Sequence, residues 1–152
     1  MKIEDEIAQV KFKNEHQKAL INLTYTYNWV HRHQRDFFKQ YKVTPQQYNV
    51  LRILRGQYPN PGNINLIKER IMDKTSDASR LVDRLVTKKY VVRYQNKTDR
   101  RSTNLFISDQ GLALLQEIDL KIGVLEDLFA NLNQKEAKQL NALLDKLRDR
   151  TT

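Results

Sequence analysis

Two short runs rich in β-branched and aromatic residues, 90–95 and 103–107, flank a polar tip, 96–102, and a helix-patterned segment, 76–89, leads straight into the first of them. Strand-forming runs on either side of a short polar stretch read as a β-hairpin. The tip carries Lys97, Arg100 and Arg101 with one acid, Asp99, and the preceding segment carries Arg80, Arg84, Lys88 and Lys89. A positive helix therefore feeds directly into a positive hairpin.

The charge is concentrated there. Residues 68–101 hold eleven Lys and Arg against five Asp and Glu, a net +6 out of +9 for all 152 residues. A surface charged only for solubility has no reason to cluster this way, whereas a polyanion-binding face does. The segment before the hairpin completes the pattern. Asn65 can cap a brief helix over 66–72, after a short strand at Ile64; Asp73-Lys74-Thr75 is a turn; Ser76 or Thr75 caps the next helix. Ala78, Leu81, Val82 and Leu85 form that helix's inner face, leaving Ser76, Asp77, Ser79, Arg80, Asp83, Arg84 and Lys88 outside. A short helix, a tight turn and a second helix with a free polar side are helix-turn-helix geometry. With the hairpin it becomes a winged helix-turn-helix, whose helix enters the major groove while the wing reaches an adjacent groove.

Long helices flank this lobe. His16, Leu20, Leu23, Tyr27, Val30, Gln34, Phe37 and Tyr41 recur at 4-3-4-3 spacing, one sustained stripe on one helix. Thr44-Pro45-Gln46-Gln47 reads as a capping box with Pro at the first helical position, opening a helix over 45–57 that buries Tyr48, Leu51, Ile53 and Leu54. After the hairpin, Ser108 caps another long helix, with Gly111, Leu115, Ile118, Ile122, Leu125, Phe129 and Leu132 again at 4-3-4-3. Asn133, with Glu136 behind it, caps the last, striped by Ala137, Leu140, Leu143, Leu144 and Leu147. The lobe is too small to cover both stripes, so self-association through the terminal helices is the economical answer. The expected fold is mainly α with a small β-hairpin wing. It is one domain over 1–152, with dimerisation helices at 1–42 and 108–152 and a winged helix-turn-helix DNA-binding lobe at 44–107. Four Gly and three Pro, few helix breakers for this length, agree with that class.

Several functions are not expected. No apolar run approaches the roughly 20 residues of a membrane span, and the N-terminus has no signal-peptide core, so a cytoplasmic protein with no membrane partner is expected. Cysteine is absent, which removes disulfides and thiolate chemistry. His31 and His33 lie roughly 200° apart on a helix and do not share a metal ion. There is no HExxH, no GxSxG and no Gly-rich phosphate loop. Neither an enzyme nor a cofactor is expected.

The element order resembles the MarR family of bacterial transcriptional regulators over nearly the whole chain. Asp99-Arg100-Arg101 followed by Phe106-Ile107-Ser108-Asp109-Gln110-Gly111 looks like that family's wing signature, an Asp-x-Arg tip, a strand, and a Thr/Ser-x-x-Gly helix start. Residues 79–85 resemble its recognition helix, and residues 47–51 the start of its second helix. The resemblance implies a homodimer, pseudo-palindromic operator DNA, a repressor's role, and often a small phenolic or lipophilic effector that lowers DNA affinity. It implies that Arg101 enters the minor groove with Asp99 orienting it, while Arg100 and Lys97 meet phosphates.

On the helix, Arg80 is placed to reach guanine edges and Arg84 a phosphate. The alternative is that both simply pair with Asp77 and Asp83. Ser76 and Ser79 suit phosphate contacts, and Asp77 either caps the helix or accepts from a cytosine amine. Aromatic residues crowd the first two helices, where the family's ligand pocket meets the DNA-binding lobe; Tyr25, Trp29, Phe37 and Tyr48 are the ligand candidates, against plain core and dimer packing. The family usually has Gly where this chain has Tyr90, so a different helix exit and a slightly different wing angle are expected. Two readings of other classes remain beside this one: a small-molecule-binding scaffold without operator recognition, and a nonspecific architectural DNA-binding protein.

Overall fold

The computed structural model describes residues 1–95 and 103–149. Eight α-helices and one hairpin follow in the order α1 (Ile3–Glu6), α2 (Glu15–Lys39), α3 (Pro45–Arg55), α4 (Ile64–Arg70), α5 (Ala78–Thr87), β1 (Val91–Gln95), β2 (Thr103–Ile107), α6 (Asp109–Asp119), α7 (Gly123–Glu126) and α8 (Gln134–Arg148), with a 3-10 turn, Asp127–Phe129, after α7. This is the mainly helical fold with a two-stranded wing. No helix among the described residues is long and apolar enough to cross a membrane.

The core lies where α3, α4, α5, the hairpin and α6 meet. Val50, Leu51, Ile67, Leu85, Leu115 and Ile118 are each fully buried there. The first turns of α6 are thus part of the same core as α3. Arg55 at the end of α3 forks onto Asp119 at the end of α6, at 2.6 and 3.5 Å. Both side chains are partly exposed, so the pair orients the two helices more than it stabilises them, at roughly 0–1 kcal/mol. The antiparallel strands run from Val91↔Ile107 to Gln95↔Thr103.

Local signals held where the capping chemistry is self-contained. Thr44 accepts from the Gln47 N–H at 3.1 Å while Gln47 Oε1 accepts from the Thr44 N–H, also at 3.1 Å. Ser108 caps α6, and Asn133 with Glu136 forms the box that starts α8. Other boundaries moved. The cap of α4 is Asn63, accepting from the Leu66 N–H at 2.8 Å, not Asn65, so the helix starts at Ile64 where a strand is expected. The strand-like contact falls at Gly62, which exchanges both backbone hydrogen bonds with Leu105 of β2. A β-carbon on Gly62 would lie 2.7 Å from Leu54 Cδ2, which explains the residue. The cap of α5 is Asp77, not Ser76 or Thr75. Thr75 is taken up in an Asx-turn, its N–H and hydroxyl both donating to Asp73.

The helix expected over 108–132 is interrupted. After Asp119 the chain makes i→i+3 bonds, Lys121 N–H to Ile118 at 2.9 Å and Leu125 N–H to Ile122 at 2.9 Å. That tighter winding, with the poor helix former Gly123 in its midst, splits the segment into α6, α7 and the 3-10 turn. A further element, α1, has no counterpart in the sequence pattern. It folds back on α2, with Glu4 on Lys18 at 2.5 Å.

The exit of α5 is the left-handed one, carried by Lys89 (φ 64°) and not by Tyr90. Tyr90 N–H donates to Leu85 O at 3.0 Å and Lys89 N–H to Val86 O at 2.9 Å, the two bonds of a Schellman motif. The expected different turn is therefore not found, because the strained position is one residue earlier. Gly111 is equally constrained: a β-carbon there would sit 2.5 Å from the Tyr90 carbonyl oxygen and 2.7 Å from Ile107 Cγ1.

Two substitutions test this junction by thermal denaturation. Lys89→Gly removes a left-handed penalty of about 1–2 kcal/mol, offset by glycine's larger unfolded-state entropy, and should stabilise the protein by about 0.5–1 kcal/mol. Gly111→Ala should destabilise it by about 1–3 kcal/mol through overpacking.

Candidate nucleic-acid interface and the cleft behind it

Helix α5 is anchored by Ala78, Val82 and Leu85, which are buried, and exposes Ser79, Arg80, Asp83 and Arg84. Ser76 is half-buried in the turn ahead of it. What decides the charge of the exposed face is where its acids go. The Asp77 carboxylate accepts from the Arg80 backbone N–H at 3.1 Å, so it is spent on the cap. Asp83 pairs with Arg93 of β1 instead of with Arg80 or Arg84. Among the described residues neither Arg80 nor Arg84 has a carboxylate partner, and these two exposed residues lie one turn apart on the helix. Arg93 belongs to the site only through this pairing. It clamps the wing's first strand to α5, a role that no short-range pattern reveals.

Among the described residues the hairpin pairing runs as far as Gln95↔Thr103. Beside it Tyr94 and Phe106 meet edge to face at 5.9 Å. Lys97, Asp99, Arg100 and Arg101 lie outside the described residues.

The four aromatic ligand candidates pack against different partners. The Tyr25 hydroxyl donates to Glu6 at 2.5 Å, and this bond to an anion, with some desolvation, pushes its pKa up. Trp29 lies against His33, ring centroids 4.6 Å apart, while the His33 Nδ1 sits 2.9 Å from the Trp29 carbonyl. Phe37 packs on Phe38 and Tyr41 at 5.0 and 5.5 Å. Tyr48 is buried against Phe38 at 4.5 Å, with the Arg52 guanidinium over its ring, and burial raises its pKa. Phe37 and Tyr48 thus share Phe38, but Tyr25 and Trp29 stand higher on α2 with other partners.

A large cavity lies elsewhere. A cleft of about 800 Å³ opens between the C-terminal half of α2, the turn and first residues of α3, and the last turn of α5. Arg35 and Lys39, four apart on α2, face Arg84 and Lys88, four apart on α5, with Lys42 between them. Lys42 takes a left-handed conformation (φ 55°). The Lys88 ammonium folds inward, donating to the Lys42 carbonyl and, at 3.2 Å, to Oε1 of the buried Gln47. Burial first, and the Arg84 charge second, hold Lys88 below the usual lysine range. On the sequence Lys88 counts as an outward cation of the helix; in the fold it ties the end of α5 to the start of α3. The signal available in the sequence was the pair of i,i+4 cation ladders, which only the packing of α2 beside α5 brings together.

Comparison with known proteins places this arrangement. The model of the MarR family matches residues 43–103. The HTH-type transcriptional regulator MhqR of Bacillus subtilis is 23% identical over 131 residues, 86% of this chain and 89% of that protein. PecS of Dickeya dadantii, also an HTH-type transcriptional regulator, is 26% identical over 112 residues, 72% of this chain and 68% of its own length. Among solved structures, a MarR transcription factor from Planctomyces limnophilus superposes with a TM-score of 0.69 at 27% identity, covering 90% of this chain and 98% of the other. The MepR–DNA complex of S. aureus superposes with a TM-score of 0.75 at 20% identity, covering 90% and 97%, and shows the shared fold.

The Asp77 cap gives a separable prediction. Asp77→Ala should destabilise the protein by about 0.5–2 kcal/mol, while Asp77→Asn, which still accepts from the Arg80 N–H, should stay within about 0.5 kcal/mol of the parent in chemical denaturation.

Proposed function

We propose, from the match of the MarR family model to residues 43–103, that the protein is a cytoplasmic, sequence-specific DNA-binding transcriptional repressor of that type. It acts as a homodimer on a pseudo-palindromic operator. The observation that carries the reading is the α5 face: both of its acids are engaged by other groups, which leaves Arg80 and Arg84 unpaired among the described residues. Arg80 reads a guanine edge in the major groove and Arg84 holds a phosphate. Ser76 and Ser79 add phosphate contacts at the start of the helix, and Asp77 keeps the helix start in shape. In the wing, Arg101 enters the minor groove with Asp99 orienting it, and Lys97 and Arg100 meet phosphates. A small-molecule effector releases the DNA.

The lobe over 44–107 binds DNA, and the segments 1–42 and 108–152 make the dimer. Support for the second part is the apolar surface a single chain leaves uncovered. Leu20 and Tyr27 on α2 are 65% and 61% exposed, and Leu143 and Leu147 on α8 are 65% and 67% exposed. No residue of α8 is buried within the chain. A scaffold without operator recognition, or a nonspecific architectural protein, predicts no preference between DNA sequences at fixed salt; a regulator shows a large specific-to-nonspecific ratio.

Binding should fall steeply with salt. A dimer that neutralises roughly 6–10 phosphates loses about three to five decades of affinity between about 50 and 200 mM salt. Near-flat salt dependence in a titration against duplex DNA contradicts the whole reading. Arg80→Ala should cost about 1–3 kcal/mol per half-site and relax base preference there, whereas Arg84→Ala should weaken all sequences alike. An unchanged preferred site in Arg80→Ala would show that this residue does not read bases. For the dimer, Leu143→Glu combined with Leu147→Glu alters only exposed positions of the single chain. It should convert a dimer to a folded or partly unfolded monomer in sedimentation, and a parent chain that sediments as a monomer at micromolar concentration refutes the assembly.

A further inference from the structure

The cleft between α2, α3 and α5 has a composition that calls for its own occupant. Its volume, about 800 Å³, falls within the roughly 300–1,000 Å³ of small-molecule sites. Such sites are ordinarily lined by apolar and aromatic side chains; this one has only Val43 and Pro45 as apolar residues, and the rest of its apolar wall comes from side chains that end in polar or charged groups. Five cations line it, Arg35, Lys39, Lys42, Arg84 and Lys88, and Asp36 is the single carboxylate among its lining residues. Among the described residues none of the five has a carboxylate within ion-pair distance. The Lys88 ammonium has only neutral acceptors, a carbonyl and an amide oxygen, beside the Arg84 charge. Like charges gathered across one concavity repel one another and focus a positive potential into it. An anion relieves this repulsion, and one with several negative groups can meet both cation ladders at once. Arginine and lysine on opposite walls suit phosphate or carboxylate oxygens, the guanidinium groups by paired hydrogen bonds.

We infer that this cleft binds a small hydrophilic polyanion, a compound bearing two or more phosphate or carboxylate groups, and that the occupant competes with DNA for Arg84. The inference rests on the DNA-binding reading for its second half and deepens it by naming the effector's chemistry, which differs from the phenolic or lipophilic class. Arg84 is the link. It sits on the exposed face of α5 and also on the wall of the cleft, so one guanidinium group serves the DNA phosphate or the cleft's anion, not both.

The test uses the full chain with inorganic pyrophosphate and citrate as probes, salicylate as the phenolic comparison, and sodium chloride to hold ionic strength constant. Melting temperature reports occupancy. Binding to a duplex that the protein itself selects from a random pool reports competition. Pyrophosphate, citrate or both should raise the melting temperature along a saturable curve, and the effective probe should weaken duplex binding at least tenfold at saturation. Which of the two acts separates phosphate from carboxylate recognition. The exposed pair Arg35→Gln with Lys39→Gln should lose the melting shift and bring the ratio of duplex affinities with and without probe to near one. Arg80→Ala should keep the melting shift, because a polyanion that merely mimics DNA on the recognition face would lose it there. The inference is overturned if neither probe gives a saturable shift in the parent chain. It is equally overturned if the double variant keeps the shift, if only salicylate binds, or if the cleft fills without weakening DNA binding. If the chain selects no duplex at all while the melting shift still depends on Arg35 and Lys39, the anion site stands and the DNA-binding reading fails.

Discussion

The backbone between Lys89 and Gly111 holds the rest of this molecule in place. Ser108 donates its hydroxyl to the Lys89 carbonyl at 2.7 Å and accepts from the Gly111 N–H at 3.0 Å, while its own N–H donates to the Tyr90 carbonyl at 3.0 Å. One residue thus satisfies the carboxyl end of α5, starts α6 and closes the base of the hairpin. Helix ends leave carbonyl and amide groups that need partners when they are covered, and here two ends and a strand satisfy one another. The close approach explains why Gly111 must lack a side chain and why the turn at Lys89 is left-handed. The orientation of α5, the hairpin and α6 all follow from these few bonds.

Charge is arranged by the same economy. Asp77 and Asp83 would each reduce the positive field of α5 if they faced solvent alone. The first is held by its own helix start and the second by Arg93, so the acids organise the helix and the wing while the arginines stay available. The opposite flank of α5 shows the converse. Lys88 gives up its place on the outer face to tie down the α2–α3 turn, and its desolvated ammonium adds to a concavity already rich in cations. A single helix therefore presents two positive surfaces, one convex and one concave, that share Arg84.

The legible parts of the sequence were those whose physics is local. A capping box needs only residues three apart, so Thr44 with Gln47, Ser108 before Gly111, and Asn133 with Glu136 could be placed from the chain alone. Where several capping residues crowd together the chain is ambiguous. Thr75, Ser76 and Asp77 can each start α5, and the choice fell to Asp77 because Asp73 draws Thr75 into a turn. Asn63 and Asn65 pose the same problem at α4, resolved by the pairing of Gly62 with Leu105, which sets where the helix must begin.

By itself, then, the sequence determined the kind of protein: hydrophobic period, strand-forming runs and the clustering of eleven cations in 68–101 are properties of neighbours along a chain, and they suffice for a winged helix-turn-helix with apolar-striped arms. Only the tertiary structure decided which cations remain free, that residues 108–132 break near Leu120, that the left-handed residue is Lys89, and that two cation ladders about fifty residues apart in sequence face each other. These depend on which groups burial brings within hydrogen-bond or Coulomb range, and that distance is a property of packing that no spacing along the chain encodes.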